Sequence, residues 1–296
     1  MFKVIITGCN GLLGSALGRA LQVSWEILGL DLNPGAFFPF QEVDIRDREE
    51  LREAIKGFHP HFLVNAAAFT DVDGCERDKE KAWGVNVMGV KNLASLCSKL
   101  DCKVIHISTD YIFDGMRGPY SEGDLSSPCN FYGETKWEGE KVLEKFPLHY
   151  AIVRTSALYG LYRRRGKRKF FDLLLDSLSK GKEINGFVDQ FTTPTYVEDL
   201  VEGIKKVMDK EGIFHISGGE FLSRFDFARN VAKVFGYNPS LIRPKESTRA
   251  GLIALRPLKG GLKIDRAQGV LGYRPHSVEE ALEIIRTERE QNAAKE

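Results

Sequence analysis

Tyr132 and Lys136 are spaced for proton transfer, in a stretch of helical character that begins near Asn130. Residues four apart stand above one another on one helix face. A free phenol, with a pKa of about 10, is a poor acid or base at neutrality. An ammonium beside it stabilises the phenolate and lowers that value. Thr109 ends the preceding apolar strand, residues 104–108, and offers a hydroxyl that can orient a carbonyl oxygen and stabilise charge developing on it. Reducing a ketone requires a hydride on carbon and a proton on oxygen. In that chemistry Tyr132 is the general acid, and Lys136 can also hold a nicotinamide ribose. The chain has nine tyrosines, so the spacing alone is weak. A surface helix pair and a strand-end cap would use the same residue types. Position has to carry the reading.

What precedes the pair is a nucleotide fingerprint. Residues 3–7 read as a β-branched strand, followed by Gly8-Cys9-Asn10-Gly11-Leu12-Leu13-Gly14 and a helical pattern through Leu21. Glycines let such a loop turn tightly and let a pyrophosphate approach. The helix N-terminus adds free N–H groups and the positive end of its dipole. The spacing is G-x-x-G-x-x-G. A second strand, residues 25–30, ends in Asp31, twenty residues past Gly11, where an acid meets the adenosine ribose hydroxyls of such units. Like-charge repulsion there disfavours a 2′-phosphate, and no arginine follows in Leu32-Asn33. The cofactor expected is NADH or NADPH, with NADH favoured by Asp31. Asp44-Ile45 precede a helix over residues 48–56 with Asp47 as its N-cap. A third strand, residues 62–64, ends Asn65-Ala66-Ala67-Ala68. These small residues leave room for a flat ligand at the edge where open α/β sheets bind. A helix is expected over residues 76–100, with Asn86 inside its apolar stripe and in need of a partner if buried.

Composition bounds the rest. A chain of 296 residues, 43% hydrophobic and 28% charged with net charge +1, is an ordinary soluble globule of one large or two modest domains. That charge singles out neither nucleic acid nor an anionic membrane. No apolar run is long enough to span a bilayer, and the first residues read as a strand rather than a leader. The expected compartment is the cytoplasm. Five cysteines without CxxC spacing argue against a disulfide framework. His59 and His61 read as loop residues, and no metal ligand set is read.

Alternating strands and helices predict an α/β fold, a doubly wound parallel sheet of Rossmann type. Another strand, residues 149–153, precedes Arg154-Thr155-Ser156. Beyond residue 157 the texture changes, and a smaller α/β C-terminal substrate lobe is expected. The division is 1–156 for the dinucleotide and 157–296 for the substrate, with some chain crossing back to the main sheet. Residues 163–169 hold six bases in seven positions, a solvated loop or a phosphate contact.

These residues resemble the extended short-chain dehydrogenases/reductases, and within them the dTDP-4-dehydrorhamnose reductase family. The resemblance rests on Ser108-Thr109-Asp110-Tyr111-Ile112-Phe113-Asp114-Gly115 above all. Further blocks are Asn65 to Asp73, Tyr132-Gly133-Glu134-Thr135-Lys136, Arg154-Thr155-Ser156, Asp189 to Thr195, and Arg256-Pro257. It implies NAD(P)H-dependent reduction of the 4-keto group of a nucleotide-diphosphate sugar, dTDP-4-dehydro-L-rhamnose to dTDP-L-rhamnose. It implies a triad of Thr109, Tyr132 and Lys136. It puts Gly11-Leu12-Leu13, Asp44-Ile45 and Ala68-Phe69-Thr70 at the cofactor, and Val72, Thr109, Asp110, Tyr111 and Arg256 at the substrate. Two features depart from the family: Ala157 stands where it has a tryptophan that packs on the sugar, and the basic run is heavier. They leave the sugar and the nucleotide base open, as is pairing into a homodimer. The rival expectations are an epimerase on the same fold and a non-catalytic regulatory subunit of methionine adenosyltransferase type. Dehydratases carry an acid directly after the Thr-Asp pair, and Tyr111 stands there instead.

Overall fold

The computed structural model describes residues 1–35, 38–161, 170–249 and 251–293. The front part runs β1 (Phe2–Thr7), α1 (Leu12–Leu21), β2 (Trp25–Asp31), β3 (Phe40–Glu42), α2 (Arg48–Ala54) and β4 (Phe62–Asn65). It continues with α3 (Val72–Arg77), α4 (Lys79–Trp83), α5 (Val90–Leu100), β5 (Lys103–Thr109), α6 (Phe131–Leu143) and β6 (Tyr150–Thr155). The back part is β7 (Leu158–Tyr159), α7 (Phe170–Ser179), β8 (Ile184–Phe187), β9 (Phe191–Thr192), β10 (Thr195–Tyr196) and α8 (Val197–Val207). It ends with β11 (Gly212–His215), β12 (Leu222–Ser223), α9 (Arg224–Val234), β13 (Ile242–Lys245), α10 (Asp265–Leu271) and α11 (Val278–Ala293).

The main sheet has the order β11-β6-β5-β4-β1-β2-β3, and every pairing in it is parallel. The expected doubly wound sheet is therefore present, with β11 returning from the back part to its edge. Side chains alternate across the pleat. Val4 and Ile6 join one apolar cluster, with α1, α8 and α11, and Ile5 joins the other, with α2 and α5. Both faces are covered, which is why the strands read as continuous apolar runs. Strand order reverses between β1 and β4, so the carboxyl ends of β1, β4 and β5 open onto one crevice.

The expected single helix over residues 76–100 is divided. Asp71 and Asp78 accept the backbone N–H groups of Gly74 and Lys81 and cap two short helices. A π-helical stretch, Gly84–Gly89, then leads into α5. Such a bulge carries an extra residue per turn and often marks a functional position. Asn86 sits in it and is buried, as its place in the apolar stripe predicted. Its Oδ1 accepts Phe69 N at 2.9 Å, and its Nδ2 donates to Phe69 O at 3.2 Å and Thr135 Oγ1 at 3.0 Å. One amide thereby ties the loop after β4 to α6.

Candidate active site

The glycine loop is shaped by contact. Gly8 has φ +63°, and a Cβ there would lie 2.7 Å from Ala67 N; one on Gly14 would lie 2.2 Å from Gly8 O. Only glycine lets the loop close on itself and on the end of β4. Gly11 is the N-cap of α1 and gives no side-chain cap, so the N–H groups of Leu12 and Leu13 are left to a ligand. Asn10 N donates to Asp31 Oδ2 at 2.9 Å, and Asn33 N donates to Oδ1 at 2.9 Å. Asp31 thus holds its charge at the loop through backbone bonds. Val43 N donates to Asp31 O at 3.1 Å, which brings Asp44 and Ile45 to the same edge. The Asp44 carboxylate is engaged by Arg46 at 2.6 Å, and that guanidinium lowers its pKa. The side chain of Ile45 is core, and its carbonyl accepts from Asn92. Ala66, Ala67, Ala68 and Phe69 are part-buried beside the loop, and Thr70 is exposed. A dinucleotide fits this edge: a tight glycine turn, an uncapped helix start, a strand-end acid and a row of alanines.

Asn130 caps α6 by accepting Gly133 N at 2.9 Å. A Cβ on Gly133 would lie 2.1 Å from Tyr111 O, so that glycine seats the helix against the turn after β5. Tyr132 is buried, with the Thr109 side chain beside its phenol. Tyr111 meets it edge-on with ring centroids 5.6 Å apart. Val72, Phe69 and Phe131 pack around the same phenol. Thr109 Oγ1 also accepts Tyr111 N at 3.2 Å and donates to Asp110 Oδ1 at 3.3 Å. Lys136 Nζ donates to Ile107 O at 2.7 Å and lies 3.4 Å from His106 Nε2. The expected lowering of the phenol pKa is not found. Burial pushes Tyr132 well above its ordinary value, against the smaller opposing pull of Thr109, because the lysine nitrogen is turned to β5. Burial also lowers Lys136 to about 8, with Glu140 opposing. The phenol keeps its proton at neutrality, as an acid requires.

Two residues assigned to the substrate are engaged by the protein. Asp110 Oδ2 accepts Ser156 Oγ at 2.6 Å and Gly261 N at 3.0 Å, and burial raises its pKa. Arg256 pairs with Asp73 at 2.9 Å and donates to Ala254 O at 2.7 Å. Together they strap residues 254–261 over the crevice. The basic run at 163–169 lies outside the described residues.

Two further residues, Gln190 and Arg224, escape the sequence reading. With Asp110, Tyr111, Ala157 and Thr192 they line one cleft. Gln190 is 4% exposed, and its Nε2 has no hydrogen-bond partner among the described residues. A buried donor without a partner is costly unless a ligand takes it. Arg224 lies 5.8 Å over the Phe170 ring and has no carboxylate partner among the described residues. Ala157, at φ +39°, Thr192 and Arg224 also wall a second, apolar hollow with Tyr159, Phe170 and Phe227. Ala157, Thr192 and Arg224 are shared by the linings of both. The block Asp189 to Thr195 contains Gln190 without giving it a role, and no local signal marks Arg224, because their place comes from folding the back part onto β5. Among the described residues no cluster of metal-ligating side chains occurs, all five cysteines are free, and no helix is long and apolar enough to cross a membrane.

Residues 2–290 match the family described as RmlD substrate binding domain. The dTDP-4-dehydrorhamnose reductase of Aggregatibacter actinomycetemcomitans is 33% identical over 97% of this chain and 99% of its own. Methionine adenosyltransferase 2 subunit beta of Rattus norvegicus is 33% identical over 82% of this chain and 75% of its own. The crystal structure of dTDP-4-dehydrorhamnose reductase from Bacillus anthracis in complex with NADP superposes with a TM-score of 0.87 at 30% identity, over 97% of this chain and 100% of that one.

Proposed function

The chain belongs to the RmlD substrate binding domain family, and from that premise we propose that it reduces the 4-keto group of a nucleotide-linked deoxysugar. The reaction is dTDP-4-dehydro-L-rhamnose to dTDP-L-rhamnose, at the expense of NADH or NADPH. The observation that carries this reading is Thr109, Tyr132 and Lys136 gathered at the sheet edge that holds the glycine loop. The reduced nicotinamide, when bound, supplies the hydride to the carbonyl carbon. Tyr132 gives its phenolic proton to the carbonyl oxygen as that oxygen gains charge. Thr109, beside the same phenol, orients the oxygen. Lys136, one turn on from Tyr132, holds the cofactor ribose.

The loop from Gly8 through Asn10 to Gly14, Asp31, Asp44-Ile45 and the segment from Ala66 through Thr70 form the cofactor side. Val72, Tyr111, Gln190 and Arg224 face the sugar nucleotide. Asp110 and Arg256 act on that side by holding the strap in place. Residues 1–156 then serve the cofactor and 157–296 the substrate. Asp31 favours NADH by repelling a 2′-phosphate, although the Bacillus anthracis relative was crystallised with NADP. Absence of an aromatic side chain at Ala157 widens the sugar cleft and makes room for a bulkier nucleotide sugar.

The test is a panel of dTDP-, UDP- and GDP-linked 4-keto sugars, followed by NADH and NADPH absorbance. Stoichiometric oxidation with the dTDP sugar is expected. In Tyr132→Phe the turnover falls by about 10²–10⁴ while cofactor binding persists. Conversion of sugar without net cofactor oxidation would point to an epimerase. A second reading, a non-catalytic partner subunit, is favoured by the similarity to methionine adenosyltransferase 2 subunit beta. It would prevail if no sugar turns over while a methionine adenosyltransferase binds.

A further inference from the structure

Four polar side chains form a buried line from the glycine loop to α6: Thr7, Asn65, His106 and Lys136, each no more than 2% exposed. Their hydrogen bonds can be oriented one after another. Thr7 Oγ1 accepts Ala67 N at 3.3 Å, and its single proton goes to Asn65 Oδ1 at 2.7 Å. The reverse amide orientation would give that hydroxyl two donors and leave its proton without an acceptor among the described residues. Asn65 Nδ2 therefore faces His106 Nδ1, at 3.0 Å. An amide nitrogen has only protons to offer, so Nδ1 carries the lone pair. His106 is fully buried, and burial drives its pKa well below the ordinary value, with the Lys136 charge adding to the shift. The imidazole is neutral, and its one proton is on Nε2.

That N–H points at Lys136 Nζ, 3.4 Å away. An ammonium has no lone pair to receive it, whereas a neutral amine has one. The amine can still donate to Ile107 O at 2.7 Å. We propose that His106 is a positioning residue, held as its Nε2–H tautomer by the Thr7–Asn65 pair, which favours the neutral form of Lys136 and so tunes the proton affinity of the Tyr132–Lys136 pair. The other groups facing the lysine are Glu140 on its own helix, which favours the ammonium and is paired with Arg154 of β6, and Tyr132 one turn before. The relay starts on Thr7, which also receives Ala67 N of the alanine row, so the lysine is linked to the cofactor edge through bonded side chains. This inference rests on the roles proposed above for Tyr132 and Lys136.

Two measurements test it. Long-range proton–nitrogen correlation spectra of the labelled wild-type protein, without any substrate, report the tautomer of His106; the Nε2–H form is expected. Finding Nδ1–H or the cation would overturn the proposal. The second is the pH profile of kcat, whose alkaline limb reports the coupled Tyr132–Lys136 titration. In His106→Phe that limb rises by about one pH unit, with KM for the sugar nucleotide within about twofold of wild type. A limb unmoved in a folded variant overturns the proposal. Absence of wild-type turnover on any sugar would instead remove the reductase reading, and the spectra would still decide the tautomer.

Discussion

Glu140 and Arg154 form a bidentate ion pair in the protein interior. The shortest contact is 2.7 Å, and their side chains are 4% and 5% exposed. Glu140 lies one turn beyond Lys136 on α6, and Arg154 is on β6. The pair therefore fixes the catalytic helix against the sheet. Arg154 also lies 5.5 Å over the Phe113 ring. Removing one partner strands a buried charge, so Glu140→Leu should cost about 3–5 kcal/mol, measured by urea denaturation. Adding Arg154→Met should restore most of that loss. Equal losses in the single and double variants would mean the pair does not act as a unit.

On the proposed reading Asp31 repels a 2′-phosphate. Asp31→Ser keeps a hydrogen-bond acceptor for Asn10 N and removes the charge. The ratio of Kd for NADPH to that for NADH should then fall by about tenfold or more, since like charges at close quarters cost on the order of a kcal/mol or more. Fluorescence titration with both nucleotides gives the ratio. An unchanged value would separate Asp31 from the 2′ position.

Gln190 offers a buried N–H₂ with no hydrogen-bond partner among the described residues. In Gln190→Leu the KM for the sugar nucleotide should rise by roughly tenfold, the worth of one buried hydrogen bond, with kcat within about threefold. Cofactor Kd should not move. A variant with wild-type KM would show that this amide faces no substrate atom.

His215 makes the fold acid-sensitive. It is fully buried, with Nδ1 3.1 Å from Tyr120 O and Nε2 3.5 Å from Arg154 Nη1. Burial first, and then the Arg154 cation, lower its pKa to about 3. The unfolded chain binds this proton near pH 6.5 and the folded chain near 3, so stability is complete above 6.5 and declines as pH falls toward 3. The slope from this group reaches about 1.4 kcal/mol per pH unit. Denaturation midpoints at pH 7, 6, 5 and 4 should show the decline, and His215→Leu should show it with one proton fewer. Identical pH slopes would remove His215 as the cause.

Local patterns carried much of this molecule. The β-branched run before Gly8, the glycine spacing, the caps at Asp47 and Asn130, and the i, i+4 pair Tyr132–Lys136 are set by backbone geometry within a few residues. Their consequences are therefore readable along the chain. The single helix read over residues 76–100 failed for a related reason: an apolar stripe reports a helical period but not the π-helical step that turns Asn86 toward Phe69 and Thr135. Other features depend on partners brought together only by folding. That Asp110 is held by Ser156 and Gly261, and Arg256 by Asp73, is visible only once the chain is folded. The sign of the Tyr132 shift follows from burial beneath Tyr111 and from Lys136 turning to Ile107, neither of which spacing contains. The residue types and their periods determined the sheet, the glycine loop and the spacing of Thr109, Tyr132 and Lys136. The tertiary structure decided which of the remaining polar groups are spent on the protein and which, like Gln190 Nε2, have no partner among the described residues. A side chain's hydrogen-bond capacity belongs to its type, but its partners come from elements distant in the chain.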